Sequence, residues 1–244
     1  MVAGSLFGSD RLPDSPSREL VEELLTYEVA WISDSMGLNL MDRQIRPIYP
    51  GVRRVAGPAL TVTVPPGDFL MISAALKVSR PGDILVIDGR GDTSRAVWGE
   101  YFSCWARGLG VEAVLIDGAA RDAGGIEAIG YPVFARATTP RQPTINGPGE
   151  VNVPISCGGV CVLPGDLIVA DREGAVVLPR RNLDRILERI RQTAEGERTH
   201  HGMPAGGRKE YDAYFDLAFA PRIAAVTGSR PGEGPDGGGA GSDT

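Results

Sequence analysis

Three short apolar runs within residues 82–136 constrain the fold more than any other feature of the chain. They are residues 84–87, 113–116 and 132–135. Runs of four residues, the first two rich in β-branched side chains, are typical of parallel strands buried on both faces when helical patterns separate them. We therefore predict a β-α-β-α-β unit with right-handed crossovers and with helices near residues 100–109 and 124–129.

Polar residues follow these runs. Asp88 and Asp117 are predicted to close the first two strands, Arg121 and Asp122 come next, and a helix begins at Glu100. Ligands of open α/β sheets bind beyond the carboxyl ends of the strands, where helix N-termini also offer N–H groups to anions. The sequence thus predicts one crevice for an arginine, several carboxylates and a helix start. On spacing alone, Arg121 and Asp122 also fit a surface ion pair, and Glu100 a favourable first-turn carboxylate.

Composition excludes several classes of protein. The 244 residues allow one sizeable core, and 42% apolar with 23% charged residues is typical of a soluble globular protein. No run approaches the ~18 apolar residues of a membrane span, and the N-terminus lacks the features of a signal peptide. Three cysteines suit a reducing cytoplasm, and a net charge of −6 argues against nucleic acid. We expect a cytoplasmic protein without a membrane or nucleic-acid partner.

Histidine usage narrows the chemistry further. Both histidines stand at positions 200 and 201. Unless the tail folds back, this excludes a Ser-His-Asp triad or a histidine-ligated zinc in the core. Acid–base work then falls to carboxylates, Arg, Lys, Tyr or bound water.

The periodic pattern divides the chain into segments. A helix over residues 18–27, capped by Ser15 or Ser17, is followed by a second helix start at Ser33; an amphipathic helix is predicted at 183–190. We predict a disordered N-terminus at 1–17, a single domain at 18–195, a linker with a short helix at 196–226, and a disordered tail at 227–244.

Four sequence blocks carry a family resemblance. They are VAGPALTV at 55–62, WGEYF at 98–102, GVEAVLIDGAARD at 110–122 and PGDLIVADREGAVVLPR at 164–180. In matching order across residues 20–190, they resemble the family of 4-hydroxy-4-methyl-2-oxoglutarate aldolases, related oxaloacetate decarboxylases and the regulator of ribonuclease E activity. The resemblance implies an α/β fold, a compact α-β-β-α sandwich of the swivelling β/β/α type around the β-α-β-α-β unit. It also implies homotrimers or homohexamers with active sites between subunits.

The activity that the resemblance implies is a metal-dependent aldolase or decarboxylase. Such enzymes use Mg²⁺ or Mn²⁺ and cleave a carbon–carbon bond of a small 2-oxo acid through a pyruvate enolate. The family signature is an acidic residue, twenty intervening residues and then Arg-Asp, which Glu100, Arg121 and Asp122 reproduce. By resemblance, Asp122 holds the metal partly through water, Arg121 faces the substrate, and Glu100 handles a proton through water.

The remaining site residues also come from the resemblance. The backbone amides of Gly99, Glu100, Tyr101 and Phe102 would receive the pyruvyl group. An acidic residue from the neighbouring subunit's C-terminal segment would complete the site, with Glu195 and Glu197 as candidates.

Two alternatives stay open. One is a non-catalytic regulator that binds a ribonuclease or another protein; there the acidic position is usually glycine, so Glu100 favours catalysis. The other is a lyase recruited to a specialised pathway with an unusual substrate, which the aromatic pair Tyr101-Phe102 and the extended tail suggest.

Overall fold

The computed structural model describes residues 14–37, 39–200 and 207–228. The helices are α1 Arg18–Leu24, α2 Val29–Met36, α3 Leu70–Val78, α4 Glu100–Gly108, α5 Ala123–Ile129, α6 Leu183–His200, α7 Arg208–Ala218 and α8 Ala220–Thr227. The strands are β1 Arg46–Pro47, β2 Val55–Thr63, β3 Ile84–Trp98, β4 Ala113–Ala120, β5 Val133–Thr138, β6 Glu150–Val151, β7 Ile155–Cys157, β8 Val160–Val162, β9 Leu167–Asp171 and β10 Gly174–Leu178. Most of the predicted disorder, residues 1–13 and 229–244, lies outside the described residues.

The predicted β-α-β-α-β unit is confirmed. Strands β3, β4 and β5 are parallel neighbours, with Leu85 opposite Val114 and Val114 opposite Val133, and α4 and α5 make the crossovers. Strand β2 adds a fourth parallel strand through α3. Residues 84–87 and 113–116 are fully buried because helices cover the sheet at these strands.

The complete sheet is mixed. Its strand order is β1-β5-β4-β3-β2-β9-β10, with β6 also paired to β2 and with β7 and β8 forming a separate hairpin. β1, β9 and β10 run antiparallel to their neighbours, and β2 reaches β9 through residue pairs such as Val55 and Ala170. The predicted α/β fold class is confirmed.

Two hydrophobic clusters hold the layers together. In the larger one, α3, α4 and α5 contribute apolar side chains such as Ile72 and Ile126 that cover the parallel strands. In the smaller one, Leu24, Ile32 and Ile190 of α1, α2 and α6 pack on β9 and β10. The helices therefore bury their apolar faces against the sheet in two groups.

The two central strands end later than predicted, so the prediction that Asp88 and Asp117 close them is wrong. After Ile87 the pairing of β3 with β4 shifts register three times, and Arg90 adopts a left-handed φ of 58°. Between Ile87 and Ala96 only Asp92 pairs with β4, opposite Gly118, and β3 then pairs with β4 again and ends at Trp98, opposite Ala120. The carboxyl ends of β3 and β4 thus lie directly before Gly99 and Arg121.

Helix boundaries also differ from the sequence prediction. α2 begins at Val29 rather than Ser33, because its first amide donates to the Asp171 carboxylate of β9 at 3.1 Å. The predicted Ser17 cap of α1 is confirmed, since its hydroxyl accepts from the Leu20 N–H at 3.2 Å. The helix predicted at 183–190 extends to His200.

The chain separates into two compact units at Gly196 and Glu197. The second unit contains α7 and α8, where one short helix was expected. In the part of the chain that the structure describes, no helix combines the length and apolar character needed to cross a membrane.

Candidate functional site

The ends of β3 and β4 bring the two predicted motifs together. The Arg121 N–H donates to the Trp98 carbonyl at 2.9 Å, which fixes the two chain segments side by side. A Cβ placed on Gly99 would lie 2.6 Å from Asp122 Oδ2 and 3.2 Å from Arg121 Cγ. Only glycine leaves room for the Arg-Asp pair at this point, although the extended backbone of Gly99 suits any residue.

Asp122 is held in an unusual backbone conformation. Its φ of 58° and ψ of 36° lie in the left-handed region, which costs an L-residue about 1–2 kcal/mol and which aspartate tolerates better than most. Its Oδ2 accepts a long hydrogen bond from the Glu100 N–H at 3.4 Å and lies 3.4 Å from Arg121 Nε. The turn therefore directs a half-exposed carboxylate at the start of α4, and strain of this kind is common at functional sites.

The first amides of helix α4 have no acceptor within the helix, and that of Glu100 donates to the Asp122 carboxylate. Its first internal hydrogen bond runs from the Ser103 N–H to the Gly99 carbonyl, so the amides of Glu100, Tyr101 and Phe102 have no acceptor within the helix. The buried Ser103 hydroxyl donates to the Gly99 carbonyl at 3.0 Å and accepts from Trp98 Nε1 at 2.8 Å. This hydroxyl fixes the helix start relative to the end of β3.

A cavity of about 300 Å³ lies beside these residues. Two groups of lining residues differ in character: Gly99, Arg121 and Asp122, called the charged end below, and Phe69, Trp98 and Phe102, called the aromatic end. The lining is completed by Ala96, Val97, Tyr101, Gln142 and Pro143. The structure thus places five of the six predicted site residues around one cavity.

Glu100 is the exception. Its carboxylate lies against the backbone of Gly125 in α5, where an added Cβ would be 2.1 Å from Glu100 Oε2, and it does not line the cavity. A water molecule would have to connect this carboxylate with a ligand in the cavity.

Two other carboxylates expected in the crevice lie elsewhere. Asp117 is buried, and its carboxylate accepts from the Arg136 guanidinium and from the Gly158 N–H at 2.7 Å. Asp88 accepts from the Arg90 N–H at 3.0 Å within the irregular part of β3. The prediction that Asp88 and Asp117 lie in the crevice is wrong, because β3 and β4 continue beyond these residues.

Asp68 is a residue that the sequence analysis missed. Its buried carboxylate accepts from four donors: the N–H groups of Leu70 at 3.0 Å, Asn146 at 2.5 Å and Gly147 at 3.2 Å, and the Thr144 hydroxyl at 2.9 Å. It thereby joins the start of α3 to the loop that supplies Gln142 and Pro143. An aspartate before a helix predicts the first contact, but no local signal predicts the other three.

The charge of Asp68 should stabilise the fold. Burial acts to raise the pKa of the Asp68 carboxyl, but the four donors outweigh burial and hold that pKa below its usual value. Because the folded-state pKa is lowered, this stabilisation is present above the unfolded pKa of about 4 and is lost as the pH falls through the folded value.

Asp68→Asn is therefore expected to lower the free energy of unfolding at pH 7 by about 1.5–3 kcal/mol, since hydrogen bonds to a charged group are lost. Urea unfolding at pH 7 and pH 3 would measure the loss, which should be smaller at pH 3. Asp92→Asn, at a carboxylate that caps only its own turn on β3, is the matched control. An equal loss at both pH values would contradict a role for the charge.

The donor set restricts the kind of metal site that can form here. Among the described residues, no group of three or more His, Cys, Asp and Glu side chains is placed so that it could hold an ion. Mg²⁺ prefers oxygen ligands and commonly keeps several waters beside one or two carboxylates. Asp122 fits such an ion, with water and substrate supplying the other ligands.

The two acidic residues expected to complete the site of a neighbouring subunit lie on α6. They are Glu195 and Glu197, and Glu195 does not line the cavity of its own chain.

Comparison with known proteins places these residues in context. The family model described as RraA-like: Aldolase/RraA matches residues 29–177. A protein of Halalkalibacterium halodurans, provisionally named 4-hydroxy-4-methyl-2-oxoglutarate aldolase, is 38% identical over 204 residues, which are 83% of this chain and 97% of that protein.

Solved structures share the fold. A Streptomyces coelicolor protein described as an unusual member of the RNase ES inhibitor RraA family has a TM-score of 0.69 and 28% identity, covering 78% of this chain and 100% of that one. The RNA-processing inhibitor RraA from Thermus thermophilis has a TM-score of 0.57 and 28% identity, covering 63% of this chain and 93% of that one.

Proposed function

Because the chain belongs to the RraA-like family, we propose that it is a divalent-metal-dependent lyase that cleaves a carbon–carbon bond of a 2-oxo acid. The observation that carries this proposal is the charged end of the cavity, where Arg121, Asp122 and the open amides of α4 meet. The name of the Halalkalibacterium relative supports an aldol cleavage. Oxaloacetate decarboxylation belongs to the same proposal, since both reactions release pyruvate through its enolate.

The charged end suits the charge that this reaction develops. Breaking the bond next to a ketone leaves an enolate, so negative charge accumulates on the keto oxygen. Preorganised N–H donors and a guanidinium stabilise such charge strongly where water is scarce. Arg121 can donate two parallel hydrogen bonds to the oxo-acid group, and the first-turn amides of α4 can donate to its oxygens. A Mg²⁺ or Mn²⁺ ion at Asp122 would supply further positive charge as a Lewis acid.

Proton transfer is assigned to Glu100, acting through water. Its exposed carboxylate stands one residue after Gly99 and lies against Gly125. From this position a water molecule can carry a proton between the carboxylate and the substrate hydroxyl or the enolate carbon. General acid–base catalysis of this kind needs a hydrogen-bonded path and not direct contact.

Pyruvate release tests the proposal. Purified protein with Mg²⁺ or Mn²⁺ is expected to release pyruvate from 4-hydroxy-4-methyl-2-oxoglutarate or oxaloacetate, and chelator should abolish the release until metal returns. Asp122→Asn should weaken Mn²⁺ binding in calorimetry, whereas Asp184→Asn, an exposed carboxylate of α6, should not. Full activity of a metal-free sample in chelator would contradict the metal requirement.

A non-catalytic regulator is the second candidate. The Streptomyces and Thermus relatives are named as inhibitors of RNA processing or of a ribonuclease. Binding to a ribonuclease by metal-loaded protein that releases no pyruvate from either acid would favour this candidate over the lyase.

We also propose that the active form is a homotrimer or homohexamer. Tyr101 and Trp105 of α4 and its C-cap residue Leu109 are all exposed at four-residue spacing, and Tyr101 lines the cavity. An apolar stripe of this kind on a soluble protein is typical of an interface. A second copy of the chain on this stripe would close the open side of the site.

Light scattering is expected to give the mass of three or six chains. Trp105→Glu should shift the mass towards the monomer, because it places a charge in the apolar stripe. Lys77→Glu, which introduces a glutamate at an exposed position of α3, should leave the mass unchanged. A fully active monomer at assay concentration would rule the assembly out.

A further inference from the structure

The aromatic end of the cavity is a continuous apolar surface. The ring centroids of Trp98 and Phe102 are 5.5 Å apart in a stacked arrangement, and those of Phe69 and Phe102 are 5.4 Å apart edge to face. Val97 and Pro143 extend this surface. These contacts are the preferred geometries of aromatic pairs, so the three rings form one packed group.

This surface is held in place before any ligand arrives. The Ser103 hydroxyl fixes the Trp98 indole at 2.8 Å, and Trp98 is only 1% exposed. The four hydrogen bonds to Asp68 fix the loop that carries Pro143 and the start of α3 next to Phe69. A preformed apolar surface binds an apolar group without the cost of ordering side chains.

Few charged side chains line the cavity. Among the described residues that line it, Arg121 is the one cation and Asp122 the one carboxylate. Arg95 donates to the Gln142 carbonyl at 2.7 Å and does not line the cavity. Gln142 and Tyr101 add neutral polar groups only. Among the lining residues of one chain, a second carboxylate placed against Phe69 and Phe102 would find no cation to offset its lost hydration, which is unfavourable.

We infer that the substrate is a monocarboxylic 4-hydroxy-2-oxo acid with an apolar or aromatic group on C4. This inference rests on the proposed lyase function and names its substrate class. The oxo-acid group would bind at Arg121 and Asp122, and the C4 substituent would lie on Phe69 and Phe102. A cavity of about 300 Å³ is at the small end of ligand sites and suits one such compound.

The reaction for this class balances without a further reactant. The C4 hydroxyl loses its proton, the C3–C4 bond breaks, and its electron pair forms the enolate of pyruvate while C4 becomes the carbonyl carbon of an aldehyde. The enolate carbon then takes up a proton. The products are pyruvate and an apolar or aromatic aldehyde.

The test compares 4-hydroxy-2-oxo-4-phenylbutanoate with 4-hydroxy-4-methyl-2-oxoglutarate as substrates of the metal-loaded protein. We expect kcat/KM for the phenyl compound to be higher by at least about tenfold, the scale on which apolar pockets discriminate. Phe102→Leu should lower this selectivity ratio by about tenfold, and Phe102→Lys should favour the dicarboxylate by supplying a cation. Tyr211→Leu, an exposed aromatic of the C-terminal unit, is the matched control. A higher kcat/KM for the dicarboxylate on the wild-type protein would overturn the inference and leave the lyase proposal intact.

If neither the phenyl compound nor 4-hydroxy-4-methyl-2-oxoglutarate is cleaved, a binding measurement tests the substrate class separately from the lyase function. Calorimetry with phenylpyruvate and 2-oxoglutarate, neither of which has a bond that the proposed reaction cleaves, reports binding without turnover. Tighter binding of phenylpyruvate, weakened by Phe102→Lys, would support the substrate class even if the lyase proposal failed. Equal or tighter binding of 2-oxoglutarate would overturn it.

Discussion

Arg121→Lys is expected to lower kcat for pyruvate release by about 10²–10³, the usual cost of losing one donor to a developing oxyanion. Lysine keeps the positive charge but offers a single point of contact, whereas the guanidinium can donate two parallel hydrogen bonds to the oxo-acid group. The backbone contact between the Arg121 N–H and the Trp98 carbonyl is unaffected by the change, so the fold should persist.

The matched control for this variant is Arg107→Lys. Arg107 lies on α4, and its guanidinium donates to the Ile129 carbonyl at 3.1 Å, outside the cavity. Its replacement should leave kcat within about twofold, as expected for a surface substitution. If a folded Arg121→Lys protein kept nearly the wild-type kcat, Arg121 would have no role in the reaction beyond its ion pair with Asp122.

Glu100→Gln is expected to lower kcat by about 10²–10⁴, the range that one acid–base side chain contributes. Glutamine keeps the size and hydrogen bonding of the side chain but removes its charge. Metal and substrate binding should change less, because Arg121 and Asp122 remain. Single-turnover pyruvate release would measure the effect, with circular dichroism as the check on folding. Retention of more than about a third of the wild-type kcat lies far above this range and would contradict the proposed role.

Two neighbouring glycines refine that test. Gly125→Ala would place a methyl group where the Glu100 carboxylate now lies, whereas a Cβ on Gly124 meets no atom within 4 Å. Both substitutions should stabilise α5 by roughly 0.5–1 kcal/mol, because alanine favours a helix. If Glu100 acts from its position against Gly125, only Gly125→Ala should also lower kcat. Equal activity of the two variants would mean that the carboxylate does not need this position.

Local patterns predicted the parts of the fold that local interactions stabilise. The two PGD sequences, at residues 81–83 and 164–166, each form a tight turn before a buried strand. Gly82 and Gly165 have φ values of 89° and 83°. The following aspartates, Asp83 and Asp166, each accept from an N–H three residues earlier in the chain. Such turns depend on a few adjacent residues, so a sequence pattern is sufficient to find them.

Features that depend on distant partners were not predictable in this way. The cap of α2 comes from Asp171, 142 residues along the chain. The return of β3 to the sheet at Trp98 depends on its pairing with β4, and the position of Glu100 depends on the small size of Gly125. The family resemblance supplied Glu100, Arg121 and Asp122 as candidates, but only the fold shows that the first lies outside the cavity that the other two line.

The pairing of β2 with β9 has a consequence for how the chain is made. β2 is complete by residue 63, but its antiparallel partner for Val55–Pro58 is not synthesised until Leu167–Ala170. On the ribosome the first half of the protein therefore carries an open strand edge, with hydrogen-bonding groups available to other nascent chains. β9 can pair with this edge of β2 only after about two thirds of the polypeptide has been synthesised.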